Sequence, residues 1–297
     1  MARTREIKRR IKSVENTRQI TKTREMVATA KIKRAQERIE AARPYALKMM
    51  EVLGNVAGDA EAGRHPLLQV HDTIEKTVIL VLTSDRGLCG AFNSNIIRAA
   101  EAIARREKAE GREVSLVVCG KKGLTYFNWV GYPIIGEYRG ISDRPGFADA
   151  KNMADILIKG YTAGEIDRVW LVFNLFKNVA EQKVTEHQLL PIEKETVAEE
   201  KNAVSGAGEA QYIFEPDAEG LLERLLPTYI EALVYRALLE SAASEHGARR
   251  TAMKSASDNA QDMIGALTRS MNRARQAQIT QEISEIVGGA DALKKAG

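Results

Sequence analysis

The sequence predicts an α/β protein in which a long antiparallel coiled coil of N- and C-terminal helices joins a central open-sheet α/β domain. Three observations lead there. Apolar and small residues recur with strict 4,3 spacing through both ends of the chain. No glycine or proline interrupts the first of these patterns before Pro44. The middle of the chain switches to short β-branched runs alternating with helical stretches.

The N-terminal seam runs Ile7, Ile11, Val14, Arg18, Thr21, Glu25, Ala28, Ile32, Ala35, Ile39 and on to Val56, with one polar patch at Arg18, Thr21 and Glu25. A helix over Ala2–Val56 would be about 80 Å long at 1.5 Å per residue, with a kink expected at Pro44. The predicted divisions are 1–57 for this helix, 58–76 for a linker, 77–215 for the central domain and 216–297 for the C-terminal helix. In the central domain Thr77–Thr83, Val114–Cys119, Pro133–Tyr138 and Arg168–Phe176 read as buried strands, and Asn93–Glu110 and Ala148–Tyr161 as helices. Lys183–Ile192 reads as an added edge strand, and Glu193–Glu209, rich in Glu, Ala and Gly, as a mobile loop.

The last helix opens after Pro216-Asp217, carries Pro227 near its first turns, and has Gly288-Gly289 as its expected stop. Its seam starts at Leu221 and continues through Met253, Ala256, Ala260, Met263, Leu267, Ser270, Ala274 and Ala277. Two helices that enter and leave the same domain pair along their length only if antiparallel. Counting from bases at 56 and 217 places residue n opposite 273 − n. That count sets Arg18, Thr21 and Glu25 level with His246 and Arg249, and leaves Arg273 onward as a single helix. The apolar residues Ile279, Ile283, Ile286 and Val287 on that tip require a seat in something else.

Composition narrows the function classes. The longest apolar run, Val78–Leu82, is far short of the roughly 20 residues that cross a bilayer. No signal-type apolar stretch follows Met1, and Glu6, Glu15 and Glu25 break any transit-peptide pattern, so the chain reads as mature from Met1 and cytoplasmic. Cys89 and Cys119 lack C-x-x-C spacing and read as reduced thiols; no Cys/His cluster suggests a metal, and no motif suggests a cofactor. The net charge of +4 conceals a basic N-terminal helix, whose expected partner is anionic, and an acidic stretch over Glu181–Glu223. Nucleic acid is a poor fit for that partner, because the basic residues form no stripe and aromatic residues are only 5% of the chain.

The most catalytic-looking stretch is Ser84-Asp85-Arg86-Gly87-Leu88-Cys89-Gly90-Ala91-Phe92-Asn93, a glycine-bearing loop between the first strand and a helix, where open sheets bind phosphates. It lacks both G-x-G-x-x-G and G-x-x-x-x-G-K-[ST]. A tight turn capped by Asp85 and Asn93 explains it without a ligand, and Cys89 reads as structural despite the neighbouring Arg86. Gly120-Lys121-Lys122-Gly123 reads as a basic turn, and His65, His71 and His187 have no companions at ligand spacing.

Three segments together resemble the gamma subunit family of F-type ATP synthases, bacterial type, from end to end. They are Ile7–Ile11 with Asn16–Lys22 and Met26-Val27-Ala28; Ser84–Asn95; and Glu245-His246, Ala252-Met253, Asn259-Ala260 with Arg275–Ile283. The resemblance implies a non-catalytic rotor shaft that couples ion flow to ATP synthesis or hydrolysis. Its two helices would turn inside a hexamer of alpha and beta subunits, and its α/β domain would stand against the epsilon subunit and the c-subunit ring. It implies a peripheral protein at the cytoplasmic face of the bacterial plasma membrane. By resemblance, Arg24, Arg249, Gln276, Thr280 and Glu282 are partner-binding residues, and the Ile-rich tip turns in an apolar sleeve. The sequence lacks the chloroplast cysteine insertion and departs from the family at Arg24 and Arg250, where methionine is usual. Arg24 has Ile20, Thr21, Val27 and Ala28 at i±3 and i±4, so its expected partner is an acidic loop of the hexamer, or else Glu245 across the seam.

Two other classes fit part of the pattern. One is a structural hinge protein with a coiled-coil arm, which would not purify with a nucleotide-binding hexamer. The other is a regulator binding nucleotide at Ser84–Asn93, which calorimetry with ATP would reveal.

Overall fold

The apolar run Val78–Leu82 lies in the middle of a five-stranded sheet, buried on both faces. The computed structural model of the chain describes residues 2–56, 65–192 and 218–296. The expected loop Glu193–Glu209 lies outside the described residues. The chain divides into two units, Ala28–Arg249 and Met1–Val27 with Arg250–Gly297.

The larger unit holds the sheet. After the helix α1 (Ala2–Val56) come β1 (Lys76–Leu82), α2 (Phe92–Ala109), β2 (Glu113–Cys119), α3 (Lys121–Val130), β3 (Ile134–Tyr138), α4 (Phe147–Thr162), β4 (Arg168–Phe176), β5 (Gln182–Leu190) and the long helix α5 (Ala218–Ala296). The strand order is β3-β2-β1-β4-β5, parallel except for β5, which adds antiparallel to β4 at the edge. Alternate residues of β1 serve opposite cores, as the pleat demands. Ile79 and Val81 pack with Ile96 and Ile103 of α2 and Phe127 of α3, and Val78, Leu80 and Leu82 with Met153 and Leu157 of α4. The second core also takes Met49 and Leu53 from α1 and Leu222, Leu226, Ile230 and Val234 from α5, so both long helices are rooted in it.

The helix α3 corrects the expected basic turn. Gly120 takes φ 94° at its start, and a Cβ there would stand 2.2 Å from the Thr83 carbonyl oxygen. The Gly123 amide then donates to Thr83 Oγ1 at 2.9 Å, so these glycines let a helix begin tight against the end of β1.

In the smaller unit, residues up to Val27 of α1 pair antiparallel with α5. Every described seam residue expected on α1 is buried or half-buried. The expected register needs correction. Arg18 Nη1 donates to Gln261 Oε1, a pairing that sums to 279 and not 273. Arg18 of the polar patch, with Gln19 and Lys22, lines a shallow cleft with Ser257, Asp258 and Gln261. The count took the two helix ends as level, whereas Leu53 of α1 shares its core with Leu226 of α5.

The seam of α5 also shifts by one residue. Ser257, Ile264, Met271 and Gln278 turn inward, whereas Met263, Ser270 and Ala277 are exposed. The unpaired tip begins at Ile279, not Arg273, since every side chain over 279–290 is exposed. Finally, α5 runs through Gly288-Gly289 to Ala296, because neither glycine takes the left-handed φ that ends a helix.

Candidate functional site

Ligands of open parallel sheets bind outside the carboxyl ends of the strands, where the strand order reverses. Here that point lies between β1 and β4. The loop after β1 is closed on itself. The Ser84 amide donates to Asn93 Oδ1 at 2.9 Å, Asn93 Nδ2 to Ser84 Oγ at 2.8 Å and to Cys89 Sγ at 3.2 Å, and Ser84 Oγ to the Arg86 carbonyl at 2.6 Å. Cys89 is buried, and burial raises its pKa despite the nearby Ser84 hydroxyl and Arg249, so it is no activated thiol. Asp85 caps α3 instead of the helix that follows its own loop, accepting from the Lys121 amide at 3.1 Å.

The crevice itself is filled by α5. Ser241 donates to the Leu82 carbonyl at the end of β1 at 3.4 Å, and Ser244 to the Asn174 carbonyl near the end of β4 at 3.0 Å. Glu240 accepts from the Phe176 amide at 3.1 Å. A Cβ on Gly247 would come within 3.1 Å of Gln182 and 3.2 Å of Phe176. Backbone groups that would meet a ligand in a nucleotide-binding sheet are bonded here to the chain's own helix.

Beside this plug lies a charged network that sequence reasoning did not find. Lys31 donates to both oxygens of Asp143, at 2.6 and 2.7 Å, and His246 Nε2 lies 3.0 Å from Asp143 Oδ1. Arg249 binds Glu245 at 2.6 Å, His246 Nδ1 at 3.1 Å, and the carbonyls of Gly87 and Arg86 at 3.3 and 3.4 Å. Burial pushes the pKa of His246 down to about 4, outweighing Asp143, so the ring is neutral with its proton on Nε2. Burial alone would raise the pKa of Asp143, but the Lys31 bond and the charges of Lys31 and Arg86 hold it below its ordinary value. The only sequence signal of this cluster is a single acid, Asp143, between Arg139 and Arg144 in a glycine- and proline-bearing loop.

The predicted partner-binding residues separate. Arg249 faces into the network, with its side chain 14% exposed. Glu245, the expected alternative partner of Arg24, accepts from Arg249 at 2.6 Å. Arg24 is exposed. Gln276, Thr280 and Glu282 are exposed on α5, where Thr280 donates back to the Gln276 carbonyl at 3.0 Å and Glu282 accepts from Gln278 at 2.8 Å. Ile279, Ile283, Ile286 and Val287 are 45–72% exposed at helical spacing beside them. Among the described residues no cluster of acids, His and Cys is arranged to hold a metal, and no helix is long and apolar enough to cross a membrane.

Comparison with known proteins agrees with this architecture. The profile of the family described as ATP synthase matches residues 3–293. An ATP synthase gamma chain of Desulforamulus reducens is 48% identical over 294 residues, covering 99% of this chain and 100% of the relative. One of Geobacter metallireducens is also 48% identical, with the same coverage. Among solved structures, a chain of the central stalk and c-ring of the Tetrahymena thermophila mitochondrial ATP synthase is 29% identical. It superposes with a TM-score of 0.58, covering 80% of this chain and 99% of its own. A chain of the Euglena gracilis mitochondrial enzyme, 20% identical, shares the fold with a TM-score of 0.65 over 98% of this chain and 95% of its own. Matched in this way from one end to the other, the chain belongs to the ATP synthase gamma chain family.

Proposed function

We infer that the chain is the central rotor shaft of an F-type ATP synthase, carrying torque between a membrane ring of c subunits and a catalytic hexamer of alpha and beta subunits. The observation that carries this reading is the helical tip. Over residues 279–290 every side chain of α5 is exposed, yet it presents Ile279, Ile283, Ile286 and Val287 on one side. Burying side chains of this size contributes on the order of 1.5–3 kcal/mol each, so a matching apolar seat would hold the tip. A smooth apolar seat has few directional bonds and permits turning.

The chain is a non-catalytic subunit, and ATP chemistry belongs to the hexamer. Gln276, Thr280 and Glu282 are the tip's polar contacts to loops of the hexamer. Arg24 faces an acidic loop there, and Arg249 supports the shaft at its root. The sheet domain stands at the membrane end, against the epsilon subunit and the c-ring, and the location is the cytoplasmic face of a bacterial plasma membrane.

Truncation tests the reading. Removing residues from Gly288 onward should leave the ATPase activity of the assembled complex nearly intact. Removing those from Ile279 onward should lower it severalfold, because the apolar stripe goes with them while the paired part of the shaft stays whole. Equal activity of the two truncated complexes would overturn the seat.

Arg24→Met gives a second expectation. An exposed ion pair contributes about 0–1 kcal/mol, and a contact made at one rotor angle alone alters the barrier to turning more than the affinity. The melting temperature of the isolated chain should stay unchanged or rise slightly, while turnover of the complex changes and loses part of its salt dependence. A lower melting temperature with unaltered salt dependence would place the role of Arg24 inside the shaft.

A further inference from the structure

In the sheet-bearing unit three segments distant in sequence meet at one carboxylate. Asp143, in the loop between β3 and α4, takes Lys31 from α1 on both oxygens and His246 from α5 on Oδ1. The loop itself is anchored to the sheet. Ser142 Oγ donates to Asp85 Oδ2 at 3.0 Å, and Asp85 follows β1 and caps α3. Behind His246, Arg249 clasps the same β1 loop through the carbonyls of Arg86 and Gly87. Hydrogen bonds thus connect α1, the sheet and α5 in one unbroken path.

Apolar packing resists separation of two helices but opposes sliding and turning weakly, above all where small residues such as Ala35 and Ala242 line the contact. Directional, charge-assisted bonds supply what packing lacks. Asp143 has no understudy. The cleft of about 330 Å³ beside it is lined by Lys31, Arg34, Arg38 and Arg144, and Asp143 is the one acid among the described residues that line it. With that carboxylate gone, the same cations repel each other and the path from α1 to α5 is cut.

We infer that Asp143 is a positioning residue of the rotor, whose bonds to Lys31 and His246 fix both long helices on the sheet domain so that torque passes between them without slip. This rests on the rotor reading. The consequence is specific to work under load. A complex whose shaft slips still hydrolyses ATP, because the helices can turn in the hexamer, but it loses synthesis driven by an ion gradient.

The test uses the whole complex, rebuilt in lipid vesicles with wild-type chain, Asp143→Asn, Lys31→Gln, or the exchange Lys31→Asp with Asp143→Lys. For Asp143→Asn the ratio of gradient-driven synthesis to hydrolysis should fall about fivefold, with a smaller fall for Lys31→Gln. The exchange should recover part of the ratio, which a loss of stability alone would not. An unchanged ratio in assembled Asp143→Asn complexes overturns the proposal. If that variant does not assemble, an unchanged ratio for Lys31→Gln overturns it equally. Gradient-driven synthesis by vesicles rebuilt with this chain left out would instead overturn the rotor reading.

Discussion

Glu107→Ala is expected to destabilise the sheet-bearing unit by about 3–5 kcal/mol, the usual cost of removing one partner from a buried charged network. Glu107 lies at the end of α2 and is only 1% exposed. Its Oε2 accepts from Arg112 at 2.6 Å, Thr77 at 3.1 Å and Arg168 at 3.4 Å, and its Oε1 accepts from the Trp170 ring nitrogen at 3.2 Å. It therefore joins α2 to β1 and β4 and to the turn before β2. Alanine would leave two guanidinium groups, an indole and a hydroxyl facing a void, with Arg168 Nε already lacking a partner. Glu107→Gln should cost less, since it keeps an acceptor for two of these donors. Burial opposes the charge of Glu107, but the Arg112 bond and the Arg168 charge outweigh it, so its folded pKa is lowered. Its contribution is present above the ordinary glutamate pKa and is lost as pH falls through the folded value. Urea unfolding of the isolated chain at pH 7 measures the difference, and a midpoint unchanged by Glu107→Ala would show the network to be dispensable.

The second large effect belongs to His246. Its folded pKa of about 4 lies below the ordinary 6.5, so between these values the unfolded chain binds a proton that the folded chain refuses. Stability from this group is complete above about pH 6.5 and declines as pH falls toward 4, by on the order of 3 kcal/mol. Glu240 and Glu245, whose pKa values burial raises, act with the opposite sign: their contribution is present at low pH and lost as pH rises through their folded values. The difference between wild type and His246→Gln separates these terms. Wild type should lose that margin relative to the variant between pH 7 and pH 4. A difference constant with pH would mean that the ring is already charged in the fold.

Local periodicity made the strands, the long helices and the antiparallel arrangement legible in the sequence. It failed where side-chain size carries no sign. The inward face of α5 beyond Met253 is built of Ser257, Ala260 and Ile264, while the large Met263 points to solvent, so hydrophobicity chose the wrong neighbour. The helix α3 is hidden in the sequence because Gly120 and Gly123 look like turn formers, whereas they serve the close approach to Thr83. For the site, the exposed tip was visible in the spacing of Ile279, Ile283 and Ile286. The Lys31–Asp143–His246 cluster was not, because its members lie over a hundred residues apart and only the tertiary fold unites them.

The helix lodged in the sheet's crevice bears on how the machine tolerates its surroundings. A shaft that works beside nucleotide sites is bathed in their substrates and products. Its own sheet has the layout that elsewhere welcomes such molecules. A tethered occupant competes at an effective concentration set by its attachment, in the millimolar range or above for short links. Ser241 and Ser244 belong to a continuous helix already packed on that sheet, so a diffusing phosphate ester has to displace the helix along with its hydrogen bonds. Swings in cellular ATP and ADP therefore leave the shaft's geometry alone, and the catalytic ring is free to respond to them by itself.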